Sequence, residues 1–182
     1  MNIKNNKRAQ DSKNKIKNAI CNMLQTVGHN QLSIKSICAN AGVNRTTFYS
    51  HFDGVEDALY QICEEYIVKA YKIFLKTNIP YKTRIKNAIE IIIDKIDFFN
   101  YVFTNVHNLE LKILEMVQTC YVGNDDFINN DQAKLSLAFI ISGFIGVGKL
   151  YFNSQNSKID SQQFADVLCS AINLSNPYFI IK

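Results

Sequence analysis

An all-α fold is predicted by three features of the sequence: sparse turn residues, apolar spacings of three and four, and cap residues flanking the periodic runs. Only two prolines and seven glycines occur in 182 residues, too few for a β protein built on many tight turns. The hydrophobic content of 47% is that of a globular chain and argues against wholesale disorder.

Residues 1–10 are polar and expected to fray. From Asp11 onward, Ile16, Ala19, Ile20, Met23, Leu24 and Val27 fall on one face of a helix. Gly28 ends it, as glycine does just past a last turn. Ser33 caps a second, short helix with Ile34, Ile37, Cys38 and Ala41 on its buried side, and Gly42 breaks it. Asn44 caps a third, very short helix running to about His51. Asp53, with Glu56 three residues later, predicts a capping box for a long fourth helix. The buried stripe of that helix reads Leu59, Ile62, Cys63, Tyr66, Ile67, Ala70 and Phe74.

Asn78-Ile79-Pro80 is a break. Ile85 to Phe99 is apolar on nearly every side, which predicts one helix in the middle of a bundle. A further helix is expected over His107 to Cys120, then a loop at Gly123-Asn124-Asp125-Asp126. The last pair is expected from about Asp131 to Phe152 and from Ser161 to Asn173, with Phe164, Val167, Leu168, Ala171 and Ile172 on one face and Pro177 following. No repeat or low-complexity linker separates the head from the body, so the two are expected to share helix contacts.

The net charge of +4 conceals an asymmetry. Residues 1–50 carry Lys4, Lys7, Arg8, Lys13, Lys15, Lys17, Lys35 and Arg45 against Asp11 alone, while the remainder is net acidic. A basic head points to a polyanionic partner; a solvated basic tail is the bland alternative. Cys21, Cys38, Cys63, Cys120 and Cys169 are widely spaced, with no C-x-x-C, which fits reduced thiols in a cytoplasm. No apolar run follows the basic N-terminus as in a signal peptide. The stretch Leu135 to Val147, interrupted by Ser142, Gly143 and Gly146, is too short to span a bilayer.

The helices flanking Gly42 carry the functional signal. A helix-turn-helix turn needs a positive φ, which glycine supplies at low cost. Cys38, four residues earlier, is small enough for a close helix crossing. Val43 and Phe48 can fill the angle between the helices. Arg45, Thr46, Thr47 and Tyr49 remain on the outer side, where such residues suit base edges and phosphates in a major groove.

The run from Leu32 to Phe52, above all Ala41-Gly42-Val43 and then Thr47-Phe48-Tyr49-Ser50-His51-Phe52, resembles the DNA-binding signature of the TetR family of bacterial transcriptional regulators. The resemblance covers roughly the first third of the chain and agrees with the remainder in helix count and order only. It implies a three-helix helix-turn-helix DNA-binding domain over residues 1–52 and a larger helical domain for effector binding and dimerisation over residues 53–182. By position, Arg45, Thr46 and Thr47 would approach bases; Tyr49, His51 and Ser33 would meet phosphates, with Lys35 and Asn44 beside them. Two positions depart from the family pattern. Val55 stands where lysine is usual, which removes a phosphate anchor, and Cys38 replaces the usual alanine. The implied function is that of a homodimeric repressor of a palindromic operator, released by a small-molecule effector. A helical adaptor that keeps the fold without specific DNA binding is the alternative.

Phe99, Tyr101, Phe103, His107, Met116 and Tyr121, with Tyr66 from the fourth helix, concentrate aromatic and polarizable groups. Most such groups serve as core. As a pocket they would take a hydrophobic or aromatic molecule, with Tyr101, His107 or Tyr121 supplying polar contacts. By family analogy the last two helices form a dimer face, placing Phe139, Ser142, Gly143, Gly146, Phe164, Leu168 and Ile172 there.

Gly143 to Lys149 fits the spacing G-x-x-x-x-G-K of a phosphate loop. Leu150 stands where a serine or threonine must bind magnesium, and no sheet is predicted to hold such a loop. Close helix packing is the alternative use for those glycines. His29, His51 and His107 show no ligand spacing with the cysteines, and no nucleophile–base or paired-carboxylate arrangement stands out. The expectation is therefore a non-enzymatic protein with no metal and no cofactor.

Overall fold

The computed structural model describes residues 3–26, 32–74, 76, 78–120, 131–153, 163–164, 166–168 and 170–171. Among them there are helices and turns but no strand. The helices are α1 (Ile3–Thr26), α2 (Ile34–Ala41), α3 (Arg45–Tyr49), α4 (Val55–Phe74), α5 (Tyr81–Ile93), α6 (Ile96–Asn105), α7 (Leu109–Cys120) and α8 (Asp131–Asn153). The described residues from 163 to 171 are helical as well.

The head is built by caps. Ser33 has extended backbone (φ −135°, ψ 157°), and its hydroxyl accepts from the Ser36 N–H at 3.2 Å. The Ser36 hydroxyl accepts in return from the Ser33 N–H at 3.0 Å, so two otherwise orphaned donors of α2 are satisfied. At the other end Gly42 sits at φ 64°, ψ 36°. Its N–H reaches Ala39 O, and the Val43 N–H reaches Cys38 O at 3.0 Å, closing a Schellman turn. Asn44 then starts α3, its Oδ1 accepting from the Thr47 N–H at 2.7 Å.

Four expectations need correction. The first helix begins at Ile3 rather than near Asp11: no proline or glycine interrupts residues 3–10, and Gln10 bonds Asn14 one turn on at 3.0 Å. The fourth helix starts at Val55, so Asp57 rather than Glu56 holds the third helical position. The Asp57 carboxylate therefore accepts from the Asp53 N–H at 3.0 Å, and Glu56 pairs with Lys112 at 3.8 Å. Ile85 to Phe99 is not one buried helix but parts of two, α5 and α6, broken at Asp94 and Lys95. Ile89 and Ile92 are buried from the first, Phe98 and Phe99 from the second, and two faces read as one continuous run looked apolar all round. The seventh helix starts at Leu109 because Asn108 takes a left-handed conformation (φ 53°).

One buried cluster runs from head to body. Ile16, Ile20, Met23, Leu24, Ile37, Cys38, Phe48 and Phe52 fill the head, and the cluster continues through Ala58, Leu59, Ile62 and Cys63 to α6, α7 and α8. α1 packs on α2 and α3 and also on α4 and α6; α4 lies against α5, α6 and α7; α8 closes over α6 and α7. Polar contacts pin the α1–α4 seam. Lys17, its side chain only 8% exposed, pairs with Glu65, and Cys21 shares a hydrogen bond with Tyr66. A basic residue of the head is thus spent inside the fold.

Among the described residues, a Cβ at Gly42 would meet no atom within 4 Å, so the demand for glycine there is conformational. Gly42→Ala should lower unfolding free energy by about 1–2 kcal/mol, the cost of a left-handed L-residue, read by urea denaturation. Asn108→Gly, at the second left-handed position, should cost nothing in the same assay.

Candidate nucleic-acid interface and effector pocket

Five residues form α3, and one of them fixes it. Phe48 is fully buried, its ring 5.6 Å from that of Phe52. With that side turned inward, Arg45, Thr46 and Tyr49 are exposed and Thr47 is half-buried. Tyr49 is 56% exposed, a large aromatic left on the surface beside two threonines and a guanidinium. Lys35 is exposed on α2, and Lys7, Arg8 and Lys15 are exposed on α1.

Three predicted contacts are engaged within the chain. Ser33 and Asn44 are exposed, but their side-chain oxygens hold the caps of α2 and α3. His51 meets Ser12 of α1, Nε2 to Oγ at 2.7 Å. Partial burial, and next the charge of Lys13, hold the His51 imidazole below its usual range. Lys13 itself lies over the Phe52 ring, 5.6 Å from the centroid. Val55 is half-buried against the core cluster.

In the body, an apolar pocket of ≈ 170 Å³ opens among five helices. Ile67 and Ala70 line it from α4, Ile92 from α5, Phe99 and Phe103 from α6, Ile113 from α7, and Ile141, Phe144 and Ile145 from α8. Of the residues expected at a pocket, Phe99 and Phe103 are there. Tyr66 stands behind Phe99, ring centroids 5.8 Å apart. Its hydroxyl is pushed up to about 12 by burial first and then by Cys21. Met116 is buried in the core cluster, Tyr101 packs on its edge, and His107 is exposed in the α6–α7 turn. Tyr121 lies outside the described residues. The aromatic count drew attention to α6 and missed the isoleucines, whose only sequence signal is their inward register on separate helices.

Phe139, Ser142, Gly143 and Gly146 are exposed along one side of α8. Leu135 and Leu150 extend that side at 72% and 76% exposure, and both were missed although they continue its spacing of three and four. Phe164 and Leu168 are buried within the chain's own core, leaving Val167 outward on that segment; Ile172 lies outside the described residues. Gly143 to Lys149 is α8 backbone, whose N–H groups serve the helix itself rather than a phosphate, and Lys149 pairs with Glu110 at 3.2 Å. Among the described residues no three metal-ligating side chains gather, and no helix is long and apolar enough to cross a membrane.

A glycine-turned helix-turn-helix on a bundle of longer helices is the fold of TetR-type transcriptional regulators. A TetR transcriptional regulator from Streptococcus agalactiae superposes with a TM-score of 0.59 at 17% identity, over 92% of this chain and 97% of that one. A transcriptional regulator from a Rhodococcus species gives 0.59 at 12% identity, over 89% and 94%. The dihydroxyacetone kinase operon activator DhaS gives 0.53 at 17% identity, over 90% and 97%. At such identities the likeness establishes the fold. No family model and no curated protein matches the chain.

Because its folded-state pKa lies below the unfolded value, His51 contributes stability that is fully present above about pH 6.5 and lost as pH falls through the folded pKa. Urea midpoints measured between pH 7.5 and 5 should fall on acidification, and His51→Gln should flatten that part of the decline.

Proposed function

We propose that this chain is a ligand-responsive transcriptional regulator that binds a palindromic operator as a homodimer in the cytoplasm, without enzymatic activity. Residues 1–52 form its DNA-binding domain and residues 53–182 its effector and dimerisation domain. The observation that carries the reading is α3: a capped helix locked by Phe48, with Arg45, Thr46 and Tyr49 outward on a basic head. Arg45 reads a base edge in the major groove; Tyr49 and Lys35 hold phosphates. Lys7, Arg8 and Lys15 extend the basic surface and compensate for the phosphate anchor that Val55 lacks.

Dimerisation supplies spacing, since two recognition helices about 34 Å apart meet successive major grooves. The exposed side of α8 supports a second copy: large apolar groups at Leu135, Phe139 and Leu150 flank Gly143 and Gly146, where an added Cβ would touch nothing among the described residues. Effector binding in the body shifts α4, which lines the pocket at Ile67 and Ala70 and begins beside the head at Val55. The heads then lose the operator spacing, by no more than the effector's differential affinity for the two states allows. Repression released by the effector is the proposed sign. One protein of this fold is named an operon activator, so a reporter gene should accompany the binding assay.

Fluorescence anisotropy against the DNA upstream of the protein's own gene, at two salt concentrations, should give binding that weakens steeply with salt. Arg45→Ala should cost about 1–3 kcal/mol of affinity, and Arg45→Ala/Tyr49→Ala should abolish specific binding. Binding that survives the double variant would move the contact to the N-terminal lysines; no binding to a selected DNA pool would favour a helical adaptor. In light scattering, Phe139→Asp should turn a dimer into a helical monomer with at least about tenfold weaker operator binding, the second half-site contact being lost.

A further inference from the structure

The pocket has a chemistry of its own. Among the described residues, every side chain that lines it is an isoleucine, an alanine or a phenylalanine. None can donate or accept a hydrogen bond, and none can neutralise a charge. The pocket opens to solvent on one side, so a polar group keeps its water only at the mouth; one pressed against the lining would forfeit that water without replacement, and a carboxylate or ammonium there would suffer far more. Of the polar groups expected at such a site, His107 is exposed in a turn and Tyr101 packs on the edge of the core cluster, while Tyr121 lies outside the described residues; the Tyr66 hydroxyl faces Cys21 of α1 while its ring backs Phe99.

Size narrows the choice further. The volume of ≈ 170 Å³ is close to that of apolar cavities of about 150 Å³ that stay dry and take up benzene. We infer that the pocket binds a neutral, apolar molecule of about one aromatic ring or a six-carbon chain, with no charged group inside. This rests on the effector reading above and assigns its ligand class. Affinity would come from apolar surface withdrawn from water and from ring contacts with Phe99, Phe103 and Phe144. Selectivity would come from rejecting charge, since no described lining group can pair with or solvate one, and Ala70, the smallest group in the wall, leaves the space the ligand takes.

The test uses the full-length protein with toluene and benzoate, which share a ring and differ by a carboxylate. Thermal unfolding in toluene at tenfold above its Kd should raise the midpoint by about 3–5 °C, and benzoate at equal concentration should leave it unchanged. Ala70→Leu fills the wall and should abolish the toluene shift; Ala70→Val, the milder change, should weaken it at least threefold if the leucine variant does not fold. Benzoate binding as tightly as toluene would overturn the inference. So would a toluene shift that survives both variants, or no shift with toluene at saturation. Operator binding is measured in parallel on the same samples. Loss of the ligand class with operator binding intact refutes this inference alone, whereas toluene binding without any DNA binding refutes the regulator reading.

Discussion

A helix of five residues has no stability of its own: one turn fixes many dihedral angles for very few hydrogen bonds. α3 exists because Phe48 is anchored in the head core against Phe52 and the inner faces of α1 and α2. That single burial orients everything on the opposite side of the turn. The Asn44 cap and the Gly42 turn set where α3 starts and how it leaves α2, but neither could hold it without the phenylalanine. The outward polar face of α3 is in this sense an apolar construction, and its geometry is decided by the side chain that solvent never meets.

The head also depends on the body. α1 is shared: its inner face completes the three-helix unit, while Lys17 and Cys21 engage Glu65 and Tyr66 of α4. The buried cluster passes through this seam as one contiguous body. Further along, α7 is held near its start on both sides, by Glu56 of α4 through Lys112 and by Lys149 of α8 through Glu110. Tyr60 adds to the first of these, its ring 5.0 Å from the Lys112 ammonium. These are exposed pairs, each worth little alone. Their placement nonetheless ties the helix that starts at the head to the helix with the exposed apolar side.

Features written in local chemistry were legible in the sequence. Ser33, Gly42 and Asn44 announced caps and a turn because the residue itself does the work, and the stripe Ile16, Ile20, Met23 and Leu24 gave the buried face of α1 directly. Features made by distant packing were not. The break at Asp94 and Lys95 has no glycine or proline to mark it. The pocket draws single residues from five helices, so its lining has no period to detect. Lys17 looked like surface charge because its partner lies 48 residues away. The buried Ala58 fell outside the stripe expected of α4.

The seam carries a consequence for how motion between head and body can be observed. Cys21 sits at it, and burial is the main reason its thiol is held above the ordinary range, with Tyr66 as hydrogen-bond partner. Cys63, one turn before Tyr66 on α4, is pushed up to about 12 by burial and then by Glu64. Both thiols are thus shifted further toward the protonated form, and Cys63, unlike the partly buried Cys21, is also fully out of solvent. Alkylation of Cys63 then requires the surrounding helices to part first, and its rate becomes a clock for that parting. The chain thus contains a native chemical probe of the helix separation on which a regulated DNA head would rely.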